Sequence, residues 1–301
     1  IKLVLDYTVE GFKEKDNGVE VLLKDNPSLQ ADMVVLAIGV TPDTVLAKEA
    51  GLELGIKESI VVNDRMETSV PDIYAAGDAV QVKHYVTGND ALISLAGPAN
   101  KQGRIIADNI CGGDSHYLGS QGSSVIKVFD MTAATTGINE TNAKKSGLEV
   151  DTVILSPMSH AGYYPGGKVM TMKVVFEKET YRLLGAQIIG YEGVDKRIDV
   201  LATAIHAGLK ATQLKDLDLA YAPPYSSAKD PVNMAGFMID NIAKGTLKQW
   251  HLEDMDKISK DKNAVLLDVR TVGEFNRGHM DGFKNIPVDE LRERINEVEK
   301  E

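Results

Sequence analysis

Gly77 and Asp78 close the segment Thr68-Ser69-Val70-Pro71-Asp72-Ile73-Tyr74-Ala75-Ala76-Gly77-Asp78-Ala79. That order predicts a short strand over residues 72–76 that delivers a glycine and a carboxylate to its carboxyl edge, the edge at which doubly wound sheets bind ligands. Gly77 leaves room for a bulky group against the backbone, and Asp78 can accept hydrogen bonds from sugar-alcohol hydroxyls. A Gly-Asp pair alone reads equally as a strand-end turn. Tyr163 and Tyr221 offer phenols that either donate hydrogen bonds at a reacting centre or merely pack with their hydroxyls satisfied. Tyr164 and Tyr225 stand near enough in sequence to leave the register of that pair open. Lys101 and Lys229 carry ammonium groups suited to phosphate, although an isolated lysine is ordinarily solvated surface. Cys111, the only cysteine, precedes Gly112-Gly113 at the end of a helical stretch. A helix N-terminus would lower a thiol pKa and a C-terminus does not, so Cys111 reads as inert. The six histidines have no metal-ligand spacing, and no metal site is expected.

These residues need elements to hold them. Residues 1–40 read as strands, with Val19, Val21 and Leu23 alternating and Met33-Val34-Val35-Leu36-Ala37-Ile38 as an unbroken apolar run. Such a run predicts a parallel strand covered on both faces. Gly39 ends it, Pro42 and Asp43 open a helix, and Gly51 stops that helix. A strand at 59–62 and a helix near 102–110 complete an α/β layer pattern. From Gly122 the pattern changes. Strands are expected at 124–129 and 152–155, a short helix at 142–146, and a hairpin pairing 169–176 with 184–191. Val194, Ile198, Leu201 and Ile205 repeat at helical spacing up to Gly208, and Val232, Ala235, Ile239 and Ile242 up to Gly245. Strands followed by helices predict an α+β domain. A linker at 245–252 leads to another buried-strand run at 264–269.

The balance of 33 basic against 44 acidic residues gives a net charge of −11, a poor footprint for nucleic acid. No apolar run approaches the roughly 20 residues of a membrane helix, and no signal peptide opens the chain. A lone thiol fits a reducing cytoplasm. The chain starts at Ile1 in a strand-like segment with no initiator Met, and reads as a fragment.

The stretch from Thr68 to Ala79 resembles the second flavin-binding motif of the two-dinucleotide-domain disulfide reductase family, and residues 34–42 resemble the strand-turn ending that family's nicotinamide domain. Leu95-Ala96-Gly97-Pro98-Ala99-Asn100-Lys101-Gln102-Gly103-Arg104 looks like the helix beside the flavin in coenzyme A disulfide reductases and NADH oxidases. Residues 122–137, with Lys127-Val128-Phe129-Asp130, are similar to the opening of their dimerisation domain. Tyr163-Tyr164-Pro165-Gly166, Gly193-Val194-Asp195-Lys196-Arg197 and the segment from Tyr221 to Asn233 continue the likeness, which covers about residues 1–245. Leu266-Leu267-Asp268-Val269-Arg270, Glu274-Phe275, Gly278-His279 and Asn285-Ile286-Pro287 resemble the first half of a rhodanese domain.

The resemblance implies an α/β fold joined to an α+β fold: a remnant of the two-dinucleotide-domain flavoprotein architecture, an α+β dimerisation domain, and the first half of a rhodanese-like α/β domain. The implied boundaries are 1–58 for the nicotinamide-binding part, 59–118 for the FAD-binding part, 119–246 for the dimerisation domain and 252–301 for the rhodanese-like part. It implies FAD as cofactor and NAD(P)H as cosubstrate, with Gly77, Asp78 and Ala79 at the flavin and Asp78 on its ribityl chain. Tyr163 and Tyr221 would serve the partner subunit's active site, with Tyr221 also at the cofactor. Lys101 and Lys229 would meet the phosphates of a coenzyme A-type thiol, and residues 122–245 would form a homodimer. The implied reaction is reduction of coenzyme A disulfide or of a small-thiol persulfide or polysulfide. NADH oxidase or peroxidase chemistry is the rival within the family, and a non-catalytic dimerisation module the rival outside it. The chain has no GxGxxG after an N-terminal strand and no candidate redox cysteine, and the rhodanese cysteine loop would lie beyond Glu301. Truncation at both ends, and inactivity of the chain alone, are therefore expected.

Overall fold

Val19, Val21 and Leu23 lie along β2 (Gly18–Leu23), the middle strand of an antiparallel meander with β1 (Val9–Lys15) and β3 (Asn26–Ala31). The computed structural model describes residues 3–261 and 263–298. The chain divides into two units, Ile1–Ser120 and Gln121–Glu301.

In the first unit the apolar run does not form the expected buried strand. No strand includes residues 33–38, and Met33, Val35, Leu36 and Ile38 are exposed, the last at 89%. A parallel strand is buried only when neighbours pair with both its edges, and among the described residues no strand pairs with this one. The short helix α1 (Val45–Glu49) follows as expected, and the chain leaves it through Gly51 at φ +77°.

A second small sheet joins β4 (Ile60–Val61) parallel to β5 (Val80–Lys83), which pairs antiparallel with β6 (Asp90–Ala91). Met66, Val80 and Val82 form its core, with Ile105 and Ile106 of α2 (Ala96–Ile110) packed on them. The strand expected at 72–76 is replaced by a turn. Ile73 N–H donates to Val70 O, and Asp72 takes φ +64°, a conformation that Asp tolerates and that ends extended pairing. Only Tyr74 keeps a bridge, to Glu67. Cys111 caps the C-terminal end of α2 and is exposed, as its sequence context predicts.

The second unit centres on a five-stranded antiparallel sheet in the order β7-β8-β11-β10-β9, built from β7 (Ser124–Val128), β8 (Met131–Gly137), β9 (Val150–Leu155), β10 (Thr171–Glu177) and β11 (Leu183–Gly190). The expected hairpin is β10 with β11, in register Thr171↔Ile189 through Phe176↔Leu183. Helix α4 (Val194–His206) packs on β8 and β11 through Val194, Ile198, Leu201 and Ile205, all buried. Helix α5 (Pro231–Ala243) buries Val232, Ala235 and Ile239, beside the single 3-10 turn Ala211–Asp216. Burying a Leu, Ile or Val side chain contributes about 1.5–3 kcal/mol, so these two stripes fix both helices. Partners across the sheet place Ile126, Ala133, Ile189, Thr171, Lys173 and Ile154 on one face, opposite the buried Ala134, Ile188 and Met172. On that face Ile126, Ile154 and Ile189 are exposed.

Helix α3 (Glu140–Lys145) is capped by the Asn139 side chain and tied to the sheet by an ion pair from Glu140 to Lys173 of β10. Lys144 and Lys173 together hold the Glu140 carboxyl down at about 2. A carboxyl whose pKa is depressed on folding stabilises fully above its unfolded pKa of about 4.3, and that stabilisation fades as pH falls toward 2. Glu140→Gln should therefore lower the urea midpoint at pH 7, by about 1 kcal/mol equivalent, and change it little at pH 2.5. An equal loss at both pH values would overturn this account.

Beyond α5 the chain forms α6 (Met255–Ile258), β12 (Leu267–Asp268), α7 (Val272–Arg277), β13 (Lys284–Asn285) and α8 (Val288–Leu291). β12 and β13 are parallel and joined through α7. The strand read at 264–269 shortens to two residues, with Val265 and Val269 exposed. This is the same outcome as at 33–38 and has the same cause: β12 has a single partner. Residues 262 and 299–301, within the stretch 252–301 that the sequence resemblance assigns to a rhodanese-like domain, lie outside the described residues. Among the described residues no helix is long and apolar enough to cross a membrane, and no cluster of His, Cys, Asp or Glu could hold a metal.

Candidate functional site

Gly77–Ala79 forms a single 3-10 turn entering β5, after Ala76 in extended conformation. The pair therefore sits at the N-terminal start of a strand, not at the carboxyl edge that the sequence predicts. Gly77 has φ +86°, and its N–H donates to Gln102 Oε1 at 2.7 Å. Gln102 is 1% exposed, so a buried amide from α2 fixes the turn. A Cβ at Gly77 would meet nothing nearer than Ala99 Cβ, 4.0 Å away. Space on that side is open, and φ rather than crowding calls for glycine there. Asp78 and Lys101 are both exposed. The open backbone and free-standing carboxylate fit the ribityl end of a flavin, for which an acceptor facing hydroxyls is the chemistry required.

In the second unit two loops converge. One joins β9 to β10 and carries Tyr163; the other precedes α5 and carries Tyr221. Their hydroxyls lie 2.7 Å apart, within hydrogen-bonding distance. Both side chains are exposed, Tyr163 at 76% and Tyr221 at 46%. Of the neighbouring tyrosines, Tyr164 packs edge-on against His160 at 5.7 Å and Tyr225 is exposed, so the two phenols that meet are those of Tyr163 and Tyr221. The bond to Tyr163, with a smaller contribution from burial, raises the Tyr221 phenol above its usual value. Each phenol has one proton, so when one donates within the pair the other keeps its O–H for an outside acceptor. Lys229 is exposed, with its carbonyl accepting from Ser227 Oγ. The two lysines fall in different units.

Behind the loops lies a charged pair for which sequence reasoning assigns no role. Arg197, 1% exposed on α4, donates from Nε and Nη2 to Asp230 Oδ2 at 3.2 and 3.1 Å. Its Nη2 also reaches Ser159 O, Tyr225 O and Ser226 Oγ at 3.0, 3.2 and 3.1 Å. Asp230, 3% exposed, caps α5 through Val232 N–H at 2.9 Å and accepts from Ser226 Oγ at 2.7 Å. In sequence both residues appear only inside the family-like segments 193–197 and 221–233; a local signal that could have placed Asp230 is Asp230-Pro231, an N-cap residue followed by proline in the first turn.

Comparison with known proteins places this geometry. The family model for pyridine nucleotide-disulphide oxidoreductase matches residues 1–103, and the dimerisation-domain model of the same family matches residues 123–231. The NAD(P)H sulfur oxidoreductase (CoA-dependent) of Pyrococcus abyssi is 38% identical over 232 residues, 77% of this chain and 52% of that protein. The structure of reduced Bacillus anthracis CoADR-RHD superposes with a TM-score of 0.91 at 47% identity, over 98% of this chain and 52% of that one. The NAD-dependent persulfide reductase from A. fulgidus gives 0.88 at 40% identity, over 97% and 53%. The chain spans about half the length of the curated relatives it matches.

Proposed function

Because the chain belongs to the pyridine nucleotide-disulphide oxidoreductase family, we propose that it serves an FAD-dependent, NAD(P)H-consuming reduction of coenzyme A disulfide or of a small-thiol persulfide or polysulfide. The observation that carries this reading is the exposed Tyr163–Tyr221 phenol pair at 2.7 Å. A phenol near its usual pKa of about 10 is protonated at neutral pH and can donate to a thiolate as it departs from sulfur. Bound flavin would supply the two-electron reduction that such a cleavage requires. The chain's own residues hold and orient. Gly77 and Ala79 would shape the turn against the flavin, Asp78 would accept from its ribityl hydroxyls, and Tyr221 is the phenol assigned to the cofactor as well as to the pair. Lys101 and Lys229 meet the thiol's phosphates.

Residues 122–245 form the homodimer contact in this reading. The exposed Ile126, Ile154 and Ile189 on one sheet face supply apolar surface for a two-fold interface. Residues 252–298 read as the opening of a rhodanese-like domain. The parallel β12–α7–β13 unit and the likeness to CoADR-RHD over nearly the whole chain support that assignment. A sulfur-carrying neighbour favours persulfide or polysulfide over oxygen as the electron acceptor.

This chain carries no candidate redox cysteine, so the test is made on the complete flavin-bound parent protein, which should oxidise NAD(P)H in step with thiol release from coenzyme A disulfide or persulfide under nitrogen. Consumption that follows oxygen and releases no thiol would reject the reading in favour of an oxidase. Asp78→Ala should weaken flavin retention roughly tenfold to a hundredfold, the worth of a charge-assisted hydrogen bond, with the far-UV spectrum unchanged. Undiminished flavin after dialysis would remove Asp78 from the site.

A further inference from the structure

Tyr163 and Tyr221 are too exposed for their own side-chain packing to hold two hydroxyls at 2.7 Å. Their loops must be held from behind: Lys196 Nζ donates to Ala220 O beside Tyr221 at 3.4 Å, but Arg197 is the side chain that bonds both loops. Ser159 O, four residues before Tyr163, and Tyr225 O, four residues after Tyr221, accept from the same Nη2. Ser226, bonded through its hydroxyl to both Arg197 and Asp230, accepts through its carbonyl from Ala161 N–H at 2.9 Å, which joins the two loops directly. Asp230 then anchors the assembly to the first turn of α5, and the Arg197 Nη1 bond to Gly193 O anchors it to the start of α4.

A buried ion pair is a poor way to gain stability, since apolar side chains of similar volume often do as well. What it supplies is direction: a planar fork of donors fixes several acceptors at once.

We propose that Arg197, oriented by Asp230, is the positioning residue of the phenol pair, holding the Tyr163 and Tyr221 loops at the separation at which one phenol donates to the other. Arg197 acts through the loops and touches neither hydroxyl. This inference rests on the reading of the pair as the sulfur-facing donor, but its test does not. Lysine at this position would keep the charge opposite Asp230 and lose the fork.

The experiment uses the full chain labelled with 13Cζ-tyrosine, with the two resonances assigned from Tyr163→Phe and Tyr221→Phe. In the unaltered protein Tyr221 should titrate above the usual phenol value, and Tyr163→Phe should lower its midpoint. A shift on the order of half a pH unit corresponds to one ordinary hydrogen bond. Arg197→Lys should reproduce that lowering while the Tyr181 resonance, from a ring stacked on Phe176 in the same unit, stays in place. A folded Arg197→Lys with the Tyr221 midpoint unmoved would overturn the proposal. Should Arg197→Lys fail to fold, Asp230→Asn decides instead: it keeps an acceptor for the α5 cap and removes the carboxylate charge that orients the guanidinium, and a lowered midpoint supports the proposal while an unmoved one rejects it. Turnover of Tyr163→Phe in the complete flavin-bound parent protein separates the two readings. Unchanged turnover beside a moved midpoint defeats the functional reading and leaves the positioning role standing.

Discussion

Replacing Tyr163 and Tyr221 together by phenylalanine in the complete flavin-bound parent protein should lower disulfide or persulfide turnover by about 10²–10³, the usual loss when a donor aimed at developing negative charge is removed. The change deletes two oxygens and keeps both rings, so loop packing should survive. KM for the thiol substrate should move less than kcat, because the lost interaction strengthens as the thiolate forms. Subunit mixing shows whose site the phenols serve. Subunits carrying Asp78→Ala, stripped of flavin, are exchanged with flavin-loaded subunits carrying both Tyr→Phe changes. If the phenols act across the dimer, the mixed species pairs a flavin with intact tyrosines and recovers activity that neither parent has. No recovery, with exchange verified by tagged subunits, would place the phenols in their own subunit's site or in none.

The parts of this site differ in how much of them the sequence revealed, and the difference is physical. Helices α4 and α5 were legible because their apolar residues recur at helical spacing and glycine follows each, a local pattern that burial then rewards. The β10–β11 hairpin was legible for the same kind of reason. Strand β8 was missed: Thr132-Ala133-Ala134-Thr135-Thr136 offers small residues with little alternation, and although β7 beside it in sequence is one partner, the other, β11, is about fifty positions away. The run at 33–38 misled in the other direction, since an apolar pattern reports a tendency to be covered and cannot supply the covering strands. Arg197 was unreadable as a site residue because a Lys-Arg pair on a helix ordinarily marks a solvated face. Its burial depends on Asp230, 33 positions on, being delivered opposite it. The nearness of Tyr163 to Tyr221 has the same origin. Both loops are placed by long-range contacts, and no local pattern encodes their meeting.

Gly185→Ala should destabilise the second unit by about 3 kcal/mol, at the upper end of what overpacking costs. Gly185 on β11 faces Gly137 on β8 as its cross-strand partner. At that point the strands approach so closely that a Cβ on Gly185 would fall 2.1 Å from Ile138 O and 2.7 Å from Ile138 N. The colliding atoms are backbone and cannot rotate away as a side chain could. They are also engaged, since Ile138 N–H donates to Leu184 O at 3.0 Å. Relief would require β8 to part from β11, and α4 packs across both strands. The strain would thus reach the helix that carries Arg197. Gly103→Ala is the contrasting change. It lies inside α2 with nothing within 4 Å of a new Cβ, and alanine is favoured over glycine in a helix by roughly 0.5–1 kcal/mol. Guanidinium titrations followed by far-UV circular dichroism, and by the fluorescence of the single tryptophan at Trp250 in the second unit, compare the two. The midpoint should fall for Gly185→Ala and hold or rise for Gly103→Ala. A Gly185→Ala midpoint within 0.5 kcal/mol equivalent of the unaltered protein would mean that the strands yield at that point with little resistance, since surface-like tolerance is the alternative to a close backbone contact.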